Sequence, residues 1–192
     1  MNLRRRLLLL ATAAPLLFSQ AWAAKRNIIL FVTDDQSPDT GAYGNPVIKT
    51  PHLDALAADG TLFTHAFATT ASCSASRSVI LSGLHNHANG QYGHQHDFHK
   101  FASWENVQSL PVLLARHGYR TAQIGKYHVA PEATYHFETY LKGNARNAPQ
   151  MAEQCKELIG SEDERPFFLY FATSDPHRGG GVDKTSKLPD KA

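Results

Sequence analysis

The 192-residue chain is 42% hydrophobic and 19% charged, which is the balance of an ordinary globular protein with one core. Its formal charge at pH 7 is +2, from 19 basic and 17 acidic residues. So small an excess gives no basic surface of the kind that nucleic-acid binding requires, and we expect no nucleic-acid partner.

Residues 1–23 have the pattern of a cleaved secretory signal. Three arginines at 4–6 precede an apolar stretch over 7–18, and small residues follow at Ala21-Trp22-Ala23. The apolar stretch is shorter than the roughly 20 residues that a membrane span needs. We therefore expect an exported protein, periplasmic or extracellular, with no stable membrane anchor; a retained N-terminal anchor is the alternative. Cleavage would remove three arginines and no acidic residue, which changes the formal charge to −1.

Apolar runs typical of strands alternate with helical patterns along the rest of the chain. In chain order we predict a strand over 27–33 that is covered on both faces, a helix over 51–59 that Thr50 caps and Gly60 ends, a strand over 61–67, and a short helix whose first turn holds Cys73. We then predict a helix over 109–117, a strand over 119–124, a helix that contains Cys155 and is capped by Asn147 and Gln150, and a strand over 166–173. This alternation predicts an α/β fold with a mainly parallel sheet.

The two cysteines lie in different settings. Cys155 shares an apolar helix face with Met151 and Leu158, which predicts a small core residue rather than a disulfide partner. Cys73 lies in A-S-C-S-A-S-R at 71–77, and these small neighbours predict an accessible side chain. Such a setting indicates a reactive residue.

Ionisable residues follow three of the predicted strands. Asp34 and Asp35 follow the first strand, Lys126 and His128 a later one, and His177 the last. Ligands of open α/β sheets bind beyond the carboxyl ends of the strands, so we expect these side chains to lie close together. Adjacent carboxylates indicate a hard cation such as Ca²⁺ or Mg²⁺, with a helix cap and a solvated carboxylate as the alternative. Lysine with histidine suits a tetrahedral oxyanion.

The order of these motifs resembles that of the sulfatase family, within the alkaline-phosphatase-like hydrolases. C-S-A-S-R at 73–77 followed by S-G at 82–83 is similar to the family pattern C-x-P-x-R followed by T-G. G-Y-R-T-A-Q-I-G-K-Y-H at 118–128 and D-P-H at 175–177 are similar to two further patterns, and D-D at 34–35 completes the set. Four motifs in the family's order are a more specific signal than any one of them.

The resemblance implies an alkaline-phosphatase-like fold, a mainly parallel sheet sandwiched by helices. Residues 24–177 would form the N-terminal part of the catalytic domain, and 178–192 a loop or tail. Family members take a further Asp, an Asn or His, and a later basic residue from strands beyond D-P-H. We therefore expect the chain to be the N-terminal part of a longer enzyme, incomplete at the C-terminus and inactive by itself.

The resemblance also implies the chemistry of Cys73. In sulfatases this cysteine is oxidised to formylglycine, whose hydrated aldehyde attacks sulfur. The metal ligands would be Asp34, Asp35 and the modified Cys73, around Ca²⁺ or Mg²⁺.

Four further roles follow from motif position. Arg77 would orient the nucleophile, and Lys126 would bridge it to the sulfate. His128 would be the base, and His177 would face the leaving group.

Two positions depart from the family pattern. Ala75 stands where most members have proline, and Ser82 where they have threonine. The alanine variant resembles sites of radical maturases, so the partner that modifies Cys73 is either a formylglycine-generating enzyme or a radical maturation enzyme.

The segments over 90–101, 107–121 and 128–137 resemble the heparan N-sulfatase (sulfamidase) branch of the family. This implies removal of an N-sulfate or O-sulfate from a glycosaminoglycan sugar. An arylsulfatase or another alkaline-phosphatase-like hydrolase is the alternative.

Three interpretations outside this family compete. A cysteine phosphatase needs five residues between its Cys and Arg, and only three separate Cys73 from Arg77. A non-catalytic remnant is the second. The third is a zinc-binding protein, because five histidines fall close together at His85, His87, His94, His96 and His99. We prefer the alternative that these histidines form a polar loop at the rim of the pocket.

Overall fold

The computed structural model describes residues 25–178 and contains four parallel strands with helices between them. The elements in chain order are β1 (Ile28–Asp34), a 3-10 turn (Gly41–Tyr43), α1 (Pro51–Asp59), α2 (Cys73–Ser82), α3 (Asn86–Asn89), α4 (Leu110–Arg116), β2 (Arg120–Gly125), β3 (Thr139–Leu141), α5 (Ala148–Gln154), α6 (Lys156–Ile159) and β4 (Phe167–Pro176). The signal sequence predicted over 1–23 and nearly all of the tail predicted over 178–192 lie outside the described residues. None of the described helices is long and apolar enough to cross a membrane.

The sheet has the strand order β1-β4-β2-β3, with every neighbouring pair parallel. This confirms the predicted α/β class, and β4 lies between β1 and β2. Because β4 has neighbours on both sides, its register aligns the ends of the other strands. Asp34 pairs with Pro176, and Gly125 pairs with Ala172.

Two apolar clusters cover the two faces of β4. Phe168, Tyr170 and Ala172 contribute to one cluster, in which Leu81 of α2 is also buried. The alternate residues of β4 contribute to the other, together with Ile124, Met151 and Cys155. The period-2 alternation of a strand therefore distributes one apolar run between both layers of the core.

The prediction that 27–33 is covered on both faces is wrong for the described residues. Ile29 is 55% exposed and Phe31 is 53% exposed, because β1 is an edge strand of the sheet that residues 25–178 form. Phe31 stacks only on Phe171 of the neighbouring strand.

The strand predicted over 61–67 is absent, since this segment has no regular structure. Its apolar residues are largely exposed, with Phe63 at 68% and Phe67 at 88%. Alternation of apolar residues alone does not form a strand without a neighbour to hydrogen-bond.

Of the two predicted helix caps, one is absent and one forms without its capping box. Thr50 does not cap α1; its hydroxyl instead accepts a bond from the Gly41 amide and donates to Asp54. Asn147 does cap α5, accepting a bond from the Gln150 amide at 3.1 Å, but the Gln150 side chain accepts from the Asn144 amide rather than completing a capping box.

Cys155 lies just after α5 rather than within it, and it is 1% exposed. It packs in the cluster with Met151, as the apolar spacing predicted. Both cysteines are free thiols.

Gly125 ends β2 in a conformation that glycine alone adopts readily, with φ at +85°. A Cβ at this position would lie 2.1 Å from the Ala172 carbonyl oxygen and 2.6 Å from Met151 Cε. A backbone group cannot yield as a side chain can, so glycine permits the close approach of β2 and β4 immediately before Lys126.

We expect Gly125→Ala to lower the free energy of unfolding by about 2–5 kcal/mol, because backbone strain and overpacking combine. Gly44→Ala is the matched control, since Gly44 has φ at +89° but no atom lies within 4 Å of the place a Cβ would take. It should lose only about 1 kcal/mol, from backbone strain. Urea unfolding measures both. Equal losses of stability in the two variants would show that the close contact with Ala172 does not contribute to the effect.

Candidate active site

The predicted polar residues lie at the carboxyl edge of the sheet. Asp34 is the last residue of β1, Lys126 follows β2, and His177 follows β4. The Asp34–Pro176 pairing places the ends of β1 and β4 side by side. The topology therefore brings together residues that are as far apart in sequence as 34 and 177.

Asp34 and Arg77 form a buried ion pair at this edge. Their side chains are 4% and 2% exposed, and Arg77 Nη2 donates to Asp34 Oδ1 at 3.1 Å. The other carboxylate oxygen of Asp34 accepts a bond from the Lys126 ammonium. Each oxygen of Asp34 thus faces its own cation.

Arg77 also contacts β2 and β4 directly. Its Nη1 donates to the hydroxyl of Tyr170 at 2.7 Å and to the backbone carbonyl of Lys126 at 3.0 Å. Burial raises the pKa of Tyr170, so the phenol stays neutral and its oxygen accepts from the guanidinium. One arginine therefore links α2 to three strands of the sheet.

Burial alone would raise the pKa of Asp34, but hydrogen bonds and charges from Lys126 and Arg77 outweigh it. The pKa of Asp34 lies below its usual value as a result. The carboxylate is therefore ionised at neutral pH.

Asp35 and His177 form a second, more exposed pair. The side chain of Asp35 is 60% exposed, and its carboxylate contacts His177 Nδ1. The same nitrogen lies 3.9 Å from Asp34 Oδ2. Both carboxylates thus surround one imidazole, and Asp35 has a left-handed backbone with φ at +56°.

Cys73 is the first residue of α2, as predicted, and its side chain is partly exposed. The two residues that follow it are not accessible. Ser74 and Ala75 are both fully buried, because the first turn of α2 packs into the protein rather than projecting from it. The Ala75 carbonyl accepts bonds from Ser78 and Asn86.

The Cys73 thiol contacts histidine rather than a carboxylate. Its Sγ lies 3.7 Å from His94 Nδ1, and the described residues give it no hydrogen bond to Asp34 or Asp35. A ring nitrogen of His128 completes a group of three ligand atoms that all lie within 4.8 Å of one another.

His128 is positioned by a strained backbone and by aromatic stacking. Its φ is +55°, and its ring stacks on that of His96 with centroids 4.8 Å apart. Burial, with the positive charge of Lys126, lowers the pKa of His128 to about 4. The imidazole is therefore neutral at pH 7.

The structure thus separates the predicted site residues into two contact groups. Asp34, Arg77 and Lys126 form one, with Asp35 and His177 beside it. Cys73 and His128 belong to the other. The two groups lie next to each other because Cys73 and Arg77 belong to the same helix and are one turn apart.

Three contributors do not stand out in the sequence. Tyr170 lies within an apolar strand, and its hydroxyl is the one signal that it needs a polar partner. Arg146 donates to the His177 carbonyl at 3.0 Å and pairs with Asp175. His94 is distinguished only as one of five clustered histidines.

The five histidines do not form one site within residues 25–178. His85 and His87 stack on each other, whereas His94 and His96 stack with His128. The segment over 90–99 has no helix or strand, so the part of it that contains His94 lies beside Cys73 as a loop.

Comparisons with known proteins agree on one family. A family model described as Sulfatase matches residues 26–191. Human N-sulphoglucosamine sulphohydrolase is 46% identical over 165 residues, which cover 82% of this chain and 33% of that protein. The ulvan-active sulfatase of Formosa agariphila is 37% identical over 165 residues, with coverages of 83% and 32%. The chain therefore spans about a third of the length of the curated relatives it matches.

Solved structures share the fold. A protein in complex with its substrate D-glucosamine-2-N,6-O-disulfate superposes with a TM-score of 0.67 at 27% identity, covering 80% of this chain and 35% of that one. The phosphonate monoester hydrolase of Agrobacterium radiobacter superposes with a TM-score of 0.62 at 19% identity, with coverages of 80% and 42%. The second likeness concerns the fold alone.

We expect Asp34→Asn to lower the free energy of unfolding by about 3 kcal/mol, because Arg77 and Lys126 would lose their shared counter-charge. Asp35→Asn is the matched control, since Asp35 is exposed, and it should change stability by less than about 0.5 kcal/mol. Urea unfolding of the two variants measures the difference. If both variants matched the parent protein, the buried network would not stabilise the fold.

Proposed function

The chain belongs to the sulfatase family, and on that premise we propose that it carries the nucleophile of a hydrolase that releases sulfate from sulfated sugars. One observation carries the proposal: Cys73 begins the same helix that presents Arg77 to Asp34 and Lys126, and the thiol lies beside His128. A nucleophile, cations and a neutral base are thereby assembled at one edge of the sheet.

Residue 73 is proposed to act as formylglycine, by family resemblance. Converted in this way, it supplies a hydrated aldehyde that attacks sulfur and later expels sulfate as the carbonyl re-forms. Ala75 in place of proline favours a radical maturation enzyme over a formylglycine-generating enzyme as the partner that converts Cys73.

The cations prepare the site for an anion. Arg77 is held rigidly by Asp34, Tyr170 and a backbone carbonyl. Lys126 is held less tightly, because it makes one ion pair and its side chain is 16% exposed. Lys126 is therefore the cation with freedom to reach a sulfate oxygen, while Arg77 orients the helix that carries residue 73.

The two imidazoles are proposed to move protons. His128 is neutral at pH 7 and lies near residue 73, so it can take the proton whose loss lets the carbonyl re-form. His177 is partly exposed at the outer side of the site, where it can donate a proton to the departing amine or alkoxide.

A hard divalent cation, Ca²⁺ or alternatively Mg²⁺, fits the donor type of Asp34 and Asp35. The Asp35 carboxylate contacts His177 Nδ1, and Asp34 Oδ2 lies 3.9 Å from the same nitrogen. The cation would supply positive charge that polarises the sulfate. A Ca²⁺ ion takes roughly six to eight oxygen ligands, so Asp34 and Asp35 form part of such a shell.

The proposed substrate class is an N-sulfated glucosamine. Support comes from the 46% identity to human N-sulphoglucosamine sulphohydrolase, and from the relative that binds D-glucosamine-2-N,6-O-disulfate. An arylsulfatase is the second candidate, since an arylsulfatase of Clostridium perfringens is 37% identical over 146 residues. We also propose that the protein is exported, from the pattern of residues 1–23.

We expect Cys73→Ala in the complete, matured enzyme to abolish sulfate release without unfolding the protein. The side chain is partly exposed, so truncation leaves no core cavity. Released sulfate is measured by ion chromatography, and folding by circular dichroism. His87→Asn, on the exposed surface of α3, is the control that should keep full activity. Sulfate release by the alanine variant would exclude residue 73 as the nucleophile.

We expect the matured enzyme to hydrolyse N-sulfoglucosamine with a kcat/KM at least about tenfold above that for glucosamine 6-sulfate or 4-nitrophenyl sulfate, a discrimination of about 1.4 kcal/mol. Side-by-side kinetics on the three substrates measure it. A preference for the aryl sulfate would favour the second candidate instead.

A further inference from the structure

A group of soft ligands surrounds the unmodified thiol of Cys73. His94 Nδ1 lies 3.7 Å from the sulfur. A ring nitrogen of His128 lies within 4.8 Å of both of these atoms. Within residues 25–178 this is the one cluster of three or more such side chains with that spacing. The three residues come from α2, the 90–99 loop and the segment after β2, so the fold rather than local sequence creates the group.

The distance between Cys73 Sγ and His94 Nδ1 matches that of two ligands in a tetrahedral zinc site. Zn–S and Zn–N bonds of about 2.3 and 2.05 Å place tetrahedral sulfur and nitrogen ligands about 3.6 Å apart. The observed distance of 3.7 Å between Cys73 Sγ and His94 Nδ1 agrees with this spacing. A side-chain movement of about 1 Å would bring the third ligand to the required distance.

A second observation also points to a ligand. His128 Nδ1 is buried and has no hydrogen-bond partner among the described residues. A buried polar atom without a partner is unfavourable. A metal bound through Nδ1 would satisfy this atom and fix the tautomer of the ring.

We propose that Cys73, His94 and His128 form a zinc site in the thiol form of the protein, before residue 73 is converted. One thiolate and two imidazoles are ligands that favour Zn²⁺ over hard cations such as Ca²⁺. The site is distinct from the carboxylate group at Asp34 and Asp35. Zinc bound here holds the thiolate, so it withholds Cys73 from alkylation. The proposal concerns the thiol and does not depend on the proposed sulfatase activity.

The test uses the whole protein produced without a maturation enzyme, reduced and freed of metal. Titration with Co²⁺ should give a sulfur-to-cobalt charge-transfer band that saturates at one equivalent. We expect Cys73→Ser to abolish the band and His94→Asn to weaken Co²⁺ binding at least about tenfold. His87→Asn is the matched control, because His87 is an exposed histidine outside the cluster, and it should bind as the parent does. A band that persists in Cys73→Ser, or unchanged affinity in His94→Asn, overturns the proposal.

A second measurement needs no variant. With one equivalent of Zn²⁺, N-ethylmaleimide should alkylate Cys73 at least about tenfold more slowly than without metal. Mass spectrometry of the Cys73 peptide follows the reaction. Ca²⁺ is the control cation and should not protect, since it does not bind thiolates. Unchanged alkylation with Zn²⁺, or equal protection by Ca²⁺, contradicts a zinc site at Cys73.

Discussion

The buried guanidinium of Arg77 is the constraint on which the arrangement of the edge depends. A charge that is 2% exposed must be paired, because an unpaired one in the interior is strongly destabilising. Arg77 meets this requirement with Asp34 from β1, Tyr170 from β4 and the backbone after β2. Any shift of α2 along the sheet would break at least one of these bonds, so the helix has one register.

That register also decides where Cys73 lies. Cys73 is four residues before Arg77, one helical turn away on the same helix face. Once Arg77 is anchored, Cys73 is carried to the carboxyl edge of the sheet. The packing that stabilises the Arg77 network therefore also fixes the position of Cys73.

Ligand hardness divides the edge into two regions. Oxygen ligands gather at Asp34 and Asp35, and the two cations Arg77 and Lys126 lie against Asp34. Sulfur and imidazole gather around Cys73, with His94 and His128. Conversion of Cys73 to an aldehyde hydrate would replace the sulfur by oxygen. Maturation would thus change residue 73 from a ligand suited to zinc into one suited to the hard-cation region.

The sequence by itself determined the parallel α/β class, β4 as a strongly apolar strand, the place of Cys73 in the first turn of α2, and the polar residues at the strand ends. These follow from local apolar period and from the rule that parallel strands end at one edge. Only the tertiary structure decided which strand is at the edge, that 61–67 is not a strand, and that Ser74 and Ala75 are buried. It alone brought His94 to Cys73 and Tyr170 to Arg77. Each of these depends on which element packs against which, over separations of 21 and 93 residues, and local pattern does not encode such pairings.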